Sequence, residues 1–154
     1  RLACMSRAFV NEDHAAAEAA LPPERPVPPG PNPVTPRGHA RIAGEVARLE
    51  AALAAAEEAA RPMLARDLRY WRARLASAQV VPRPAGPAVG FGARVLLRQN
   101  GAERWWELVG EDEAEPREGR ISWASPLARA LLGAEAGEEV ALPGRPPVLV
   151  LRVG

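Results

Sequence analysis

Residues 125–133 read Ser125-Pro126-Leu127-Ala128-Arg129-Ala130-Leu131-Leu132-Gly133, a short helix with both of its ends written into it. Ser125 is an N-cap residue, Pro126 suits the first helical position, where no amide donor is needed, and Gly133 closes the far end. On both sides of this helix the apolar pattern is that of strands. Ile121 to Ala124 precedes it, while Val140 to Leu142 and Val148 to Val153 follow, separated by Pro143-Gly144-Arg145-Pro146-Pro147. Further upstream, Phe91 to Arg98 is a strand candidate, and Gln99-Asn100-Gly101-Ala102 carries the Asn-Gly pair of a tight hairpin turn. Arg104 to Val109 returns as the partner strand, and Gly110 to Arg120 is an acidic loop. A small antiparallel sheet with one short helix laid on it accounts for residues 91–154.

Val80 to Gly90 is rich in proline and glycine and reads as a linker. Before it the period is helical. Thr35 can cap, Pro36 suits the first turn, and Ile42, Val46, Leu49, Leu53 and Ala56 follow at alternating steps of four and three. Leu64, Leu68, Trp71 and Leu75 repeat that step after Pro62. Two such seams joined near residues 58–62 predict an antiparallel, coiled-coil-like helical hairpin over 35–79. From Leu21 to Pro36, proline falls at 22, 23, 26, 28, 29, 31, 33 and 36, which excludes a helix or a central strand. An extended polyproline-like arm is expected there, either a tether or an SH3-type ligand. The expected organisation is therefore α+β: arm 1–34, hairpin 35–79, linker 80–90 and sheet domain 91–154. Met5-Ser6-Arg7 reads as a natural start, with Arg1 to Cys4 as upstream read-through or a cloning remnant.

Composition removes several functions. The 154 residues hold twenty basic and nineteen acidic side chains, a net charge of +1, so no global field directs the chain to nucleic acid or membrane. Every basic residue is arginine, which excludes a P-loop, Schiff-base chemistry and any lysine general base. The one cysteine, Cys4, cannot form an internal disulfide or a zinc cluster, and His14 and His39 have no partner spacing. No apolar run approaches the roughly 18 residues of a membrane span. A soluble cytoplasmic protein with no catalytic constellation, metal set or cofactor is expected.

Two stretches carry a family resemblance. Leu108-Val109-Gly110-Glu111-Asp112-Glu113-Ala114-Glu115-Pro116 with Gly119-Arg120-Ile121-Ser122, and then Ser125 to Gly133 with Gly137-Glu138-Glu139-Val140, resemble the C-terminal domain of the GreA/GreB transcript-cleavage factors. Phe91-Gly92-Ala93 sits where that family has its first strand. Val34-Thr35-Pro36-Arg37-Gly38 is similar to the start of the family's coiled coil, and Asp67-Leu68-Arg69-Tyr70 through Ala78-Gln79-Val80-Val81 to its end. The resemblance implies an FKBP-like fold for the sheet domain and bacterial RNA polymerase as partner, with docking at the rim of its secondary channel. Trp123, Ser125, Pro126, Leu127 and Arg129 occupy the strand–helix corner that resembles the docking region. GreB-type sequences often carry an acidic residue just before the Ser-Pro pair, where this chain has Ala124. In the family, an acidic pair at the hairpin tip helps hold a magnesium ion that activates water for transcript cleavage. That motif is absent, and about 25–30 residues typical of the family are missing, shortening each arm by roughly 20 Å. Cleavage stimulation is not expected. Relatives such as Rnk, a regulator of nucleoside diphosphate kinase, also pair a short hairpin with this domain. A kinase regulator or a general adaptor is thus the alternative.

The residues themselves leave other readings open. Glu57 and Glu58, beside the predicted turn, are either a residual acidic tip or solvated charges able to pair with Arg61. Arg66, Arg69, Arg72 and Arg74 give the second helix a basic face, for transcript RNA or polymerase contact or for pairing with Glu45 and Glu50. Tyr70 and Trp71 read as seam and shoulder packing. Glu111, Asp112, Glu113 and Glu115 lack the glycine and distal glutamate of a calcium loop and read as structural. Trp105 and Trp106, adjacent on a strand, point to opposite faces.

Overall fold

The computed structural model describes residues 21–154. Cys4, the expected start at Met5, His14 and the arm up to residue 20 lie outside the described residues. The chain then runs β1 (Asn32–Val34), α1 (Pro36–Ala55), α2 (Arg61–Ser77), β2 (Ala78–Val80), β3 (Arg94–Gln99), β4 (Ala102–Val109), β5 (Arg120–Ser122), α3 (Pro126–Leu131), β6 (Glu139–Leu142) and β7 (Arg145–Val153). This is an α+β chain. It divides into two compact units, residues 21–28 with 44–73 and residues 29–43 with 74–154. No helix among the described residues is long and apolar enough to cross a membrane.

In the first unit, Val46 and Leu49 of α1 and Leu68 of α2 are buried, the central positions of the two expected seams. A single 3-10 turn, Glu58–Ala60, joins the helices, and Pro62 falls in the first turn of α2, where its missing donor costs no bond. The Arg61 guanidinium donates to the Leu53 carbonyl at 2.8 Å, satisfying one of the orphan acceptors at the end of α1. Arg72 pairs with Glu50 at 3.1 Å. Leu53 opposite Arg61 and Glu50 opposite Arg72 are pairs progressively further from the turn, which is the signature of an antiparallel hairpin. The proline segment has no regular secondary structure over residues 22–29, yet it is not a free tether. Arg69 donates to both Glu24 oxygens, with Nε 3.1 Å from each, and Arg25 lies 3.6 Å from Asp67 with its guanidinium carbon 3.9 Å above the Tyr70 ring. That hydrogen bond from Arg69 holds the Glu24 carboxyl below its ordinary value.

The second unit holds a two-stranded parallel sheet, β1 with β2, and a five-stranded sheet in the order β5-β4-β3-β7-β6. Pro33 is tolerated inside β1 because that strand has only one partner. Asn100 and Gly101 both take positive φ, 51° and 78°, giving the tight β3–β4 turn its backbone twist. The sheet is not wholly antiparallel as expected: β5 runs parallel to β4. The acidic segment between them folds into two 3-10 turns, Glu111–Glu113 and Pro116–Glu118, which carry the chain back to re-enter in the same direction. The expected strand at Phe91 also begins later, at Arg94, because Gly92 turns the chain at φ 82°. Val95, Leu97, Leu108, Ile121, Ala128, Leu131, Val148 and Val150 form the core, so α3 covers the face of the sheet to which Val95 and Leu97 point.

The acidic loop is held by buried polar contacts. Glu113, 3% exposed, accepts from the Thr35 amide at 3.1 Å, from the Thr35 hydroxyl, and from the Gly110 amide at 3.2 Å. Thr35 Oγ1 in turn accepts from the Gly38 amide at 3.0 Å, capping α1. A Cβ on Gly38 would lie 2.1 Å from the Glu113 carboxyl carbon, so only glycine admits this carboxylate. Arg74, 1% exposed, donates to Asn32 at 2.7 Å, Asp112 at 2.6 Å and Glu111 at 3.1 Å.

These contacts set two expectations. Gly38→Ala displaces a carboxylate with three internal donors and lowers stability by about 1–3 kcal/mol, whereas Gly44→Ala, which meets nothing within 4 Å, raises it by about 0.5–1 kcal/mol. Urea unfolding of both variants reads the contrast, and equal midpoints would refute it. Because the folded Glu24 pKa is depressed, its contribution is present above the ordinary carboxylate pKa and lost as pH falls through the lowered one. An NMR titration of the Glu24 carboxyl should show that low value and its return to the ordinary range in Arg69→Ala.

Candidate functional site

The strand–helix corner is built as its sequence requires. Ser125 Oγ accepts from the Ala128 amide at 3.3 Å, so its hydroxyl serves as the N-cap of α3. Ala128 and Leu131 are fully buried, and Leu127 packs against the core, which leaves Pro126, Arg129 and Leu132 on the exposed side. Arg129 has no ion pair among the described residues. Trp123 is half-buried, and its indole nitrogen is covered without a hydrogen-bond partner among the described residues. Of the five corner residues singled out by sequence, Pro126 and Arg129 present themselves outward, and Leu127 is committed to packing. Leu132, 45% exposed, extends the same patch and was not singled out, although its i+3 spacing from Arg129 marks it.

The expected basic face of α2 is largely answered by carboxylates. Arg66 pairs with Asp67 at 2.9 Å, Arg69 with Glu24, and Arg72 with Glu50. Arg74 departs from that face altogether, being buried in the network around Asn32 and Asp112. Glu45, expected as a partner for this face, pairs instead with Arg48 one turn along its own helix at 2.7 Å. Arg48 is accordingly held above its ordinary pKa, chiefly by that hydrogen bond.

At the hairpin tip, Glu57 and Glu58 are exposed. Arg61, their expected partner, is turned to the Leu53 carbonyl. In the acidic loop, Glu111, Asp112 and Glu113 are spent on Arg74, Thr35 and Gly110, and Glu115 forms a backbone bridge with Arg120. No group of three or more acidic, histidine or cysteine side chains among the described residues is arranged to hold a metal. His39 lies in the first turn of α1, and its amide donates to the Thr35 carbonyl at 2.9 Å. Trp106 packs against the core, and Trp105 is 38% exposed on the opposite face.

With this geometry in place, comparison with known proteins is direct. Residues 84–151 match the family described as "Transcription elongation factor, GreA/GreB, C-term". Transcription elongation factor GreB of Neisseria meningitidis serogroup B is 43% identical over 95 residues, covering 57% of this chain and 58% of the relative. Transcription elongation factor GreA of Rhodopseudomonas palustris is 47% identical over 68 residues, covering 42% of this chain and 43% of the relative. The chain thus spans between 43% and 58% of the length of these curated relatives. Among solved structures, the GreA factor homolog 1 (Gfh1) protein of Thermus thermophilus matches at 19% identity over 81% of this chain and 99% of that one, with a TM-score of 0.41. The transcription elongation factor GreA/GreB from Nitrosomonas europaea matches at 23% identity over 81% of this chain and 98% of that one, with a TM-score of 0.38. The likeness to the GreA/GreB transcription elongation factors therefore rests on the C-terminal part of this chain, residues 84–151.

Proposed function

We propose that this chain is an RNA polymerase-binding regulator of transcription elongation that docks at the rim of the secondary channel and does not stimulate transcript cleavage. The observation carrying the docking is the corner at Ser125–Gly133. Its inward side chains complete the core, so the outward set of Pro126, Arg129 and Leu132 is left available to a partner. An apolar pair around one guanidinium suits an interface anchor, with arginine giving orientation and the apolar atoms giving area. Ala124 supplies no charge there, so docking rests on apolar fit and Arg129. The short hairpin would partly occlude the channel or compete with longer channel binders.

Reach supports the absence of cleavage. α1 has 20 residues and so extends about 30 Å at 1.5 Å per residue. Glu57 and Glu58 stand at the end of that span, on an arm shorter than the family pattern by roughly 20 Å. A carboxylate must lie about 2.0–2.1 Å from magnesium to serve as its ligand, and side-chain motion does not close a gap of that size.

The docking is tested with purified chain and core RNA polymerase at physiological salt. The wild type should be retained, while Pro126→Asp and Arg129→Glu each weaken retention about tenfold or more. Both positions are exposed, and Asp is tolerated at the start of a helix, so folding is preserved. Failure of the wild type to bind, while a full-length Gre factor does, overturns the reading, as does enrichment of nucleoside diphosphate kinase instead. Cleavage is tested in a stalled, backtracked complex with labelled RNA. The protein should give no short 3′ fragments above the polymerase's own rate, and Glu57→Gln with Glu58→Gln should change nothing. Fragments abolished by that double substitution would show that the acidic pair reaches the active centre.

A further inference from the structure

The face of the five-stranded sheet turned away from α3 carries a second, separate feature. Along β3, Val95 and Leu97 point into the core, so Arg94 and Leu96 point outward. In register across the sheet, Leu96 lies beside Trp105 and Arg94 beside Glu107. A cavity of about 340 Å³ opens here, lined by Trp105 and by charged side chains that include Arg37, Arg83, Arg94, Glu107 and Glu118.

The charges in this cavity do not cancel. Glu107 is taken by Arg37 at 3.2 Å, and Glu118 by Arg120 at 2.6 Å. Arg83 and Arg94 have no ion pair among the described residues, and both are exposed. The Arg94 guanidinium stands 5.0 Å from the centre of the Trp105 ring, looser than the 3.9 Å of Arg25 over Tyr70. Trp105, though large and apolar, is 38% exposed. An indole that is partly exposed, with the Arg94 guanidinium near its ring and Arg83 lining the same cavity without an ion pair, offers a stacking surface and anion forks together.

We propose that this cavity binds a nucleoside phosphate, with the base stacked on Trp105 and the phosphate held by Arg83 and Arg94. The volume matches the lower range of small-ligand sites, about 300–1,000 Å³. A second cavity, of about 160 Å³, is lined by Arg37, Arg41, Glu113 and Arg120 and shares Arg37 with the first. Arg37 and Arg120 there are paired, but Arg41 is exposed with no ion pair among the described residues, which carries unpaired positive charge beyond the first cavity and favours a single RNA strand over a free nucleotide. Base–aromatic stacking along a basic groove is how proteins hold single strands without reading their sequence. The site lies on the sheet face opposite the α3 corner and does not depend on polymerase docking.

The test is fluorescence anisotropy of a short labelled oligouridine RNA with the full chain at several salt concentrations. Trp105→Ala should weaken binding about tenfold at every salt, with an unchanged slope of log affinity against log salt. Trp105→Phe should recover part of the loss, since a ring remains. Arg83→Ala and Arg94→Ala should each reduce the salt slope by about 0.7, the value for one phosphate on a single strand. Arg48→Ala, whose guanidinium is paired with Glu45 on the hairpin, should behave as wild type. Competition by GMP through Trp105 would show that the site takes a free nucleotide, and its absence would assign the site to the strand. Either result upholds the shared chemistry. The proposal is overturned if wild type binds neither ligand, or if Trp105→Ala binds RNA as tightly as wild type.

Discussion

A guanidinium taken fully out of water must be answered by acceptors, or its burial costs several kcal/mol. Arg74 is such a group, and its acceptors come from distant parts of the chain: Asn32 before α1, and Glu111 and Asp112 in the loop after β4. Asn32 also donates to the Arg74 carbonyl at 3.0 Å and to Ser77 at 3.1 Å, so the last turn of α2 and strand β1 are tied twice. Glu113 does the same for Thr35 and the first turn of α1. Such networks add less net stability than their bond count suggests. Their effect is to make other arrangements of these segments costly, because each leaves a charge buried and unpaired.

Local structure with a local cause was legible in the sequence. Ser125, Pro126 and Gly133 act within a few residues of one another, and helix α3 lies between them as expected. The Asn100-Gly101 turn and the buried positions of the two helical seams have the same kind of cause. Arg74 was misread because spacing along α2 groups it with Arg66, Arg69 and Arg72, whereas its environment is set by residues 37 to 42 positions away. The parallel pairing of β5 was hidden for a related reason. Loop length suggests a connection but not the direction of return, which depends on two 3-10 turns in an acidic segment. Arg83, Arg94 and Trp105 lie on a linker and two strands, and only the fold shows that they border one cavity.

Charge is distributed unequally in kind, although the chain as a whole is nearly neutral. In the hairpin unit, Arg25, Arg48, Arg66, Arg69 and Arg72 each face a carboxylate. Those exposed pairs contribute little individually, about 0–1 kcal/mol each, but they leave that unit with little unanswered positive charge. In the other unit, Arg83, Arg94 and Arg129 have no such partner among the described residues. Counting arginines along the sequence directs attention to α2; counting the unanswered ones directs it to the sheet domain.

The proportions of the five-stranded sheet bear on how the protein behaves when crowded. Its outer strands, β5 and β6, have three and four residues, against six to nine for the strands between them. An open strand edge is a template on which a foreign strand can add, and a short edge offers few rungs. Where β5 stops short of β4, the uncovered stretch of β4 carries Glu103 and Arg104 beside Trp105 and Trp106, and Arg104 donates to the Pro116 and Arg117 carbonyls. Charged side chains on an exposed margin further discourage ladder growth. The short outer strands therefore leave few free rungs on which a foreign strand could add.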